Sequence, residues 1–596
     1  MVSSVVAHRE SKTRIFIEMK ASHRSTWQAI SPAFRANAIE NGERALALPW
    51  PSLPFSLYRQ FVENGNRTNY ETPYFERRRM LGSLVLAECV EHRGRFMAQI
   101  VEGIWTIIGE PTWVIPAHNK YGRDIPAHAF PLTGRPVLDL FSCDTAALLS
   151  LSALLLEEEL AAWAGSQIIE SIHHQLHERL VAPYLNDHSW WMGGTDDLLN
   201  NWTPWCTQNV LLTALTMGLE TEERTRLITK AASSLDHWLD HYGEDGCCDE
   251  GASYWRAAGL CLWGSLHLLE AAIGEDVASL FKENKIHNIA SYITNVHIVD
   301  ELYLNFADCS PRAGILGARE YLFGKALDDP SLMRRALEDF KAHPFDSGNG
   351  EYNLFYRLLR LMHGQRLLDE KLPPPSPPTP FIWYPSVGLA IYRKGGYTLA
   401  VKAGDNDDSH NHNDVGSIIL YDGAKPRLID MGVETYTKTT FNDERYTLHP
   451  MQSHYHNVAN FPPYGQEAGA AYKAHVISVS DSSIDLELNE AYAKEAGVAR
   501  YRRSVAIDDT QIVVSERTEA RHAPLLTLMT VDHPRREASA LIFEGWKILF
   551  DRPVEATIEA IAIDDERLRQ AWPDTLYRTT VAFEGEVVWT VRRTND

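Results

Sequence analysis

A chain of 596 residues exceeds what one compact core holds, and its length implies about two to four domains. With 44% hydrophobic, 10% aromatic and 23% charged residues, the composition is that of a globular protein, which excludes a disordered, collagen-like or disulfide-stapled chain. The 57 basic and 79 acidic residues give a net charge of −22, which excludes a nucleic-acid-binding surface over the whole molecule. A local cluster of Arg, His and Asn can still receive a polyanion.

The first twenty residues contain Arg9, Lys12, Arg14 and Lys20 without an apolar core, so no secretory signal is read there. No window approaches 18 apolar residues, so no membrane span is expected. The seven cysteines, Cys89, Cys143, Cys206, Cys247, Cys248, Cys261 and Cys309, are odd in number and match no zinc CxxC pair. Reduced, buried thiols in a cytoplasmic protein are the expectation.

Helical periodicity dominates the first part of the chain. Apolar residues recur at three-to-four spacing through Tyr74 to Val90 and Phe96 to Ile107. The same holds for Asp144 to Leu156, Leu160 to Leu180, Thr207 to Leu219, Glu222 to Tyr242 and Ala257 to Ile273. Short paired helices of this kind fit a toroid of helical hairpins better than a four-helix bundle. Six prolines within residues 373–380 then impose an extended segment.

Beyond it the period becomes two. Val387 to Tyr392, Thr398 to Lys402, Ser417 to Tyr421, Val476 to Val479, Ile484 to Leu488, Ser504 to Ile507, Gln511 to Glu516 and Val587 to Val591 read as strands. The expected fold is α+β and multidomain: an N-terminal incomplete (α/α) toroid over 1–371, a Pro-rich linker over 372–380 and an antiparallel β-sandwich over 381–596.

The densest polar run is 405–414, and in a strand His410 and His412 would share a face. A turn at Asp422-Gly423 would return Arg427 to Met431 as the partner strand, bringing Asp430 opposite the His412 end. The segment Ser453 to Asn457 offers a third imidazole. Two imidazoles and a carboxylate suit Zn²⁺ with one open position, and a hydrogen-bonded histidine pair at a sheet edge is the plain alternative.

The run Ser409-His410-Asn411-His412-Asn413-Asp414-Val415-Gly416-Ser417, with Leu428 to Gly432 and His456-Asn457, resembles the signature of the heparinase II/III-like polysaccharide lyases. The resemblance implies the toroid-plus-sandwich layout with the active cleft between the two. It places His412, Asp430 and His456 on the metal-ligand positions and His410 on that of an active-site histidine. Asn200 to Cys206 resembles the segment whose Asn contacts the substrate carboxylate, and Asp249 to Trp255 the segment bearing a catalytic Tyr. The catalytic set is therefore Asn201, Tyr254 and His410. Several family members carry His directly after that Asn; here Trp202 stands there, which shifts the proton chemistry onto Tyr254 and His410.

Trp113, His118, Trp202, Arg445 and Tyr446 are read as substrate-binding residues, with Arg445 expected at a substrate carboxylate. The implied activity is β-elimination on a uronic-acid-containing poly- or oligosaccharide, leaving 4,5-unsaturated uronate ends, with glycosaminoglycans favoured over alginate. One structural divalent metal accompanies it, Zn²⁺ ahead of Mn²⁺; no nucleic acid or membrane partner is expected. Two alternatives remain. A hydrolase on the same toroid would use Asp196-Asp197 and Asp249-Glu250 as its carboxylates, and a glycan-binding protein would not turn over at all.

Overall fold

The computed structural model describes all residues except 8, 124, 196, 197, 275, 347–350, 595 and 596, and leaves out the side chain of 443. Asp196 and Asp197 thus lie outside the described residues. The chain divides into two compact units. One comprises Met1–Tyr242, Arg256–Ala290 and Ile315–Pro375; the other comprises Gly243–Trp255, Ser291–Gly314 and Ser376–Asp596. Helices come first and antiparallel sheets second.

In the helical unit, Leu140–Leu155 and Trp202–Met217 are buried almost all round, as is the second half of Thr68–Glu91. Such helices lack a polar face because they form the inside of the unit. The outer helix Thr221–His241 buries one stripe, from Leu227 through Leu235 to Leu239. Helix Leu140–Leu155 begins with a capping box in which the Asp139 side chain accepts from the Ser142 amide at 2.8 Å. Gly42 allows helix Pro32–Leu46 to close on Thr68–Glu91, since a Cβ there would lie 2.2 Å from that of Ala87. The single helix expected over 160–180 is instead Glu157–Ala164 followed by Gln167–Leu176 and a wider turn over His177–Val181. Gly165, at φ +83°, stops the first helix in a conformation that favours glycine. Among the described residues no single helix is long and apolar enough to cross a membrane.

The second unit contains five-, eight- and four-stranded sheets. The five-stranded sheet runs in chain order through Phe381–Tyr384, Leu389–Lys394, Tyr397–Lys402, Ile418–Asp422 and Lys425–Leu428. Gly395 and Gly396, both at positive φ, make the two-residue turn between its second and third strands. Alternating burial along Val498–Ile507 and Gln511–Ala520 puts Tyr501, Val505, Ile512 and Val514 into the core with Leu486, Leu528 and Trp589. Two segments from earlier in the chain join this unit, and the later of them bonds to the five-stranded sheet. Arg393 donates to the carbonyl of His297, and Asn295 donates to the Tyr384 hydroxyl.

Inside the sandwich core lies a fully buried ion pair. Arg503 and Glu516 face each other across adjacent strands. Arg503 donates to both Glu516 oxygens at 2.6 and 3.0 Å and to the carbonyls of Gly416 and Asn457. Removing one member leaves the other charge buried and unpaired. Glu516→Ala is therefore expected to cost about 3–5 kcal/mol, read as a lower urea midpoint. Glu586→Ala, at the exposed partner of Arg517, is expected to cost less than about 1 kcal/mol.

Candidate active site and metal centre

The polar centre of the second unit is Asp308, a fully buried carboxylate in the loop after Leu302–Tyr303. Arg445 grips both oxygens, at 2.6 and 3.3 Å. His410 Nδ1 lies 2.8 Å from Oδ2, His412 Nε2 lies 3.1 Å from Oδ1, and the Tyr436 hydroxyl donates to Oδ2 at 3.2 Å. Burial alone would raise the Asp308 pKa, but Arg445 and the two imidazoles hold it well below the usual carboxylate range. The carboxylate is thus an acceptor only, and the groups around it are donors.

The strand expected to carry His410 and His412 is absent. Residues 409–417 form turns and irregular loop, with His410 in the left-handed region at φ +59°. The two imidazoles are brought together by the shared carboxylate instead of by strand alternation. Lys425–Leu428 does pair back on Ile418–Asp422, but the strand ends before Asp430.

His412, Asp430 and His456 nonetheless meet. One ligand atom from each lies within 4.8 Å of the others, and all three residues are buried. Each is held through its other polar atom: His412 Nε2 at Asp308, His456 Nε2 at the Pro450 carbonyl at 2.9 Å, and Asp430 Oδ1 accepting from the Gly432 amide at 2.7 Å. What remains is His412 Nδ1, His456 Nδ1 and Asp430 Oδ2, none with a hydrogen-bond partner among the described residues. Two of these, His456 Nδ1 and Asp430 Oδ2, stand 3.1 Å apart as an ion pair. Buried polar atoms left unsatisfied are costly, and bonds on the far side of each ligand are the usual way a metal site orients its imidazoles. The three residues fit a metal ion.

Tyr254 follows a turn at Gly251, φ +84°, in the short helix Ala252–Trp255. Trp255 is fully buried, whereas Tyr254 is only partly so. The Tyr254 ring stacks on His410 at 4.3 Å, and its hydroxyl meets that of Tyr436 in a short hydrogen bond. His410 Nε2 stands 3.2 Å from a carboxylate oxygen of buried Glu250. Burial opposes charge on His410, but Tyr254, Asp308 and Glu250 outweigh it and raise its pKa well above the ordinary imidazole range. His410 is accordingly a cation with both nitrogens engaged, clamped against the face of Tyr254.

Arg445 is not the open substrate contact expected of it. It is buried, and besides Asp308 it donates to the carbonyls of Asn411, Thr440 and His410. Tyr446 accepts from the Asn411 side chain at 3.0 Å. Asp308 and Tyr436 were missed, because each stands in a stretch with no periodic or motif signal of its own; Glu250, read as one of a hydrolase's carboxylates, instead pairs with His410.

In the helical unit, Asn201 is buried at the start of helix Trp202–Met217. Its side chain does not cap that helix; Asn200 does so, accepting from the Trp202 amide at 3.0 Å. Trp113 is a core residue and not a sugar platform, for it is 2% exposed and its indole donates to the Ile107 carbonyl. His118 is held by Asp139 at 2.8 Å, and its ring lies 4.7 Å from that of Trp202. Burial lowers the His118 pKa despite Asp139, so its imidazole is neutral. His118 and Trp202 line a pocket with Lys120, Tyr121, Arg135 and Trp190.

The family model described as Heparinase II/III-like, C-terminal matches residues 376–523. Residues 376–523 form a heparinase II/III-like C-terminal domain. No curated protein matches the chain. Solved structures share its fold at low identity. Heparinase III is 13% identical with a TM-score of 0.62 over 95% of this chain and 86% of that one. The heparan sulfate lyase HepC from Pedobacter heparinus is 12% identical, TM-score 0.54, over 99% and 87%. The Streptomyces coelicolor A3 chondroitin AC lyase, solved in complex with chondroitin sulphate, is 10% identical, TM-score 0.52, over 96% and 82%.

The metal centre makes a direct prediction. Protein purified without chelator is expected to hold one divalent ion per chain by elemental analysis, and Asp430→Ala to hold none. Asp308→Asn, which keeps the shape but removes the charge behind His412, is expected to weaken metal affinity about 10- to 100-fold, measured by competition with a chromophoric chelator.

Proposed function

We propose that the protein is a polysaccharide lyase that cleaves uronic-acid-containing glycans, of glycosaminoglycan type, by β-elimination. The observation that carries this reading is Tyr254. It is a partly exposed phenol stacked on an imidazolium locked by Asp308 and Glu250, in a unit that contains a heparinase II/III-like domain.

Elimination requires a base for the C5 proton and an acid for the departing O4. Tyr254 as phenolate takes the proton from C5. The C–H electron pair becomes the C4=C5 double bond, and the C4–O4 pair leaves with O4. The phenol then returns its proton to O4, which restores the phenolate. The His410 cation faces the ring throughout, and its N–H groups stay with carboxylates, so it supplies fixed positive charge to an anionic substrate without giving up a proton. Asn201 and Trp202 enter as sugar contacts through the resemblance of their segment, and the His118–Trp202 pocket, with Lys120 and Arg135 on its wall, suits an acidic sugar.

Zn²⁺ is the metal we assign to His412, Asp430 and His456, since two nitrogens and one carboxylate oxygen are its preferred donors. Bound there, it would supply structural crosslinking of the loops that carry those residues.

Hydrolysis by a carboxylate pair finds less support. Glu250 is committed to His410, and the Asp249 carboxylate accepts from the Ser409 amide at 3.2 Å. Burial first, then Glu250 and Asp408, push Asp249 up to about 7.

The test is ultraviolet absorbance during incubation with hyaluronan, chondroitin sulfate, heparan sulfate and alginate. The conjugated uronate product is expected to accumulate with a glycosaminoglycan, and Tyr254→Phe to lower the rate by about 10²- to 10⁴-fold. New reducing ends without absorbance would instead establish hydrolysis.

A further inference from the structure

Tyr436 is not used in the chemistry above, yet it sits where that chemistry needs help. Its hydroxyl meets the Tyr254 hydroxyl and Asp308 Oδ2, and Arg567 also hydrogen-bonds to it. A hydroxyl has one hydrogen to give. With Tyr254 neutral, the ionised Asp308 claims the Tyr436 hydrogen, so the hydrogen between the two phenols belongs to Tyr254. Once Tyr254 has lost that hydrogen, the Tyr436 O–H can turn from Asp308 to the phenolate oxygen. Asp308 tolerates the loss, since Arg445, His410 and His412 still donate to it.

The surroundings of Tyr436 keep its own proton in place. It is largely buried, and burial first, then Tyr254 and Asp308, push its pKa well above the ordinary phenol range. The Arg567 guanidinium lies over its ring at 4.5 Å and donates to the Asp308 carbonyl at 3.3 Å. Phe441 packs against the other edge at 4.9 Å. The groups around the phenol pair are therefore His410 on the face of Tyr254, Arg567 on that of Tyr436, and the carboxylates of Asp308 and Glu250 behind His410.

We propose that Tyr436 is a positioning residue for the lyase reaction, a switchable donor that leaves Asp308 to hydrogen-bond the Tyr254 oxygen in its base form. This rests on the reading of Tyr254 as the proton-transfer group. A hydrogen bond to a charged oxygen is short and roughly twice as strong as a neutral one, so the device stabilises the form of Tyr254 that abstracts and relaxes when the proton has arrived.

The experiment compares Tyr436→Phe with Phe441→Leu, which disturbs the same packing but removes no hydroxyl. For Tyr436→Phe, kcat on the accepted glycan is expected to fall about 10- to 100-fold with KM within twofold and the melting temperature unchanged. Phe441→Leu is expected to keep its kcat. In parallel, 3-fluorotyrosine placed at position 254 is followed by ¹⁹F NMR across alkaline pH without glycan. Its deprotonation is expected to move upward by about one pH unit or more in the Tyr436→Phe background. An unchanged kcat, or an unmoved fluorine titration, overturns the proposal. A wild-type protein inert toward every acidic glycan would sink the lyase reading, and with it the proposal's role for Tyr436; the fluorine titration distinguishes that failure from loss of the hydrogen bond itself.

Discussion

One buried carboxylate organises the candidate site. Asp308 has no access to solvent, and a charge so placed persists only if donors surround it. Arg445, His410, His412 and Tyr436 converge on it from three separate stretches of chain. The same anion sorts two imidazoles into two roles. It takes Nδ1 of His410 and Nε2 of His412, so opposite faces of the two rings remain. The remaining nitrogen of His410 goes to Glu250, which makes it a locked cation. The remaining nitrogen of His412 points to Asp430 and His456, where a metal fits. Both arrangements depend on Asp308, because each uses the bond to fix which nitrogen is free.

The second support is Asn457, one residue beyond the ligand His456. Its amide donates to the carbonyls of Ile418 and Ile429 at 2.7 and 2.9 Å and accepts from the Met529 amide at 2.7 Å. Its own carbonyl accepts from Arg503, the core cation paired with Glu516. Ile429 adjoins Asp430, so a single buried side chain ties two of the three ligand-bearing segments to the sandwich. The ligand loops are irregular, but this paired side chain ties them to regular structure, and a polar network rigidifies where its members are paired.

Much of the fold was legible because periodicity is a local property. All eight strands read from the sequence have counterparts; Gln511–Ala520 alternates in burial as a half-buried strand must, whereas Tyr397–Lys402 is buried almost throughout. The continuous helix over 160–180 failed at Gly165, whose positive φ no apolar pattern encodes. The metal triad was legible through a motif, but for the wrong geometric reason. His410 and His412 do not share a strand face; they share Asp308, more than a hundred residues away in the chain. No spacing rule reaches that far, which is also why Asp308 and Tyr436 went unseen. Arg445 was assigned by its nearness to the ligands in sequence, and the error has the same root. The carboxylate it was expected to meet belongs to the protein.

The proposed action of an acidic protein on an acidic polymer looks contradictory at a net charge of −22, but the range of the forces removes the difficulty. At physiological ionic strength, interactions between exposed charges fade beyond about 8 Å, so a bound glycan responds to the nearest side chains and not to the sum. Around Trp190 and Trp202 those include Lys120 and Arg135 on the pocket wall, with Arg123 stacked over Trp190 at 5.2 Å. Around Tyr254 they include the His410 cation, and behind Tyr436 stands Arg567. The distant acidic residues act on solubility and on encounter rates at low salt. On the proposed reading, a glycan carboxylate would meet a few cations whose positions are set from within, and that of His410 is fixed by Asp308.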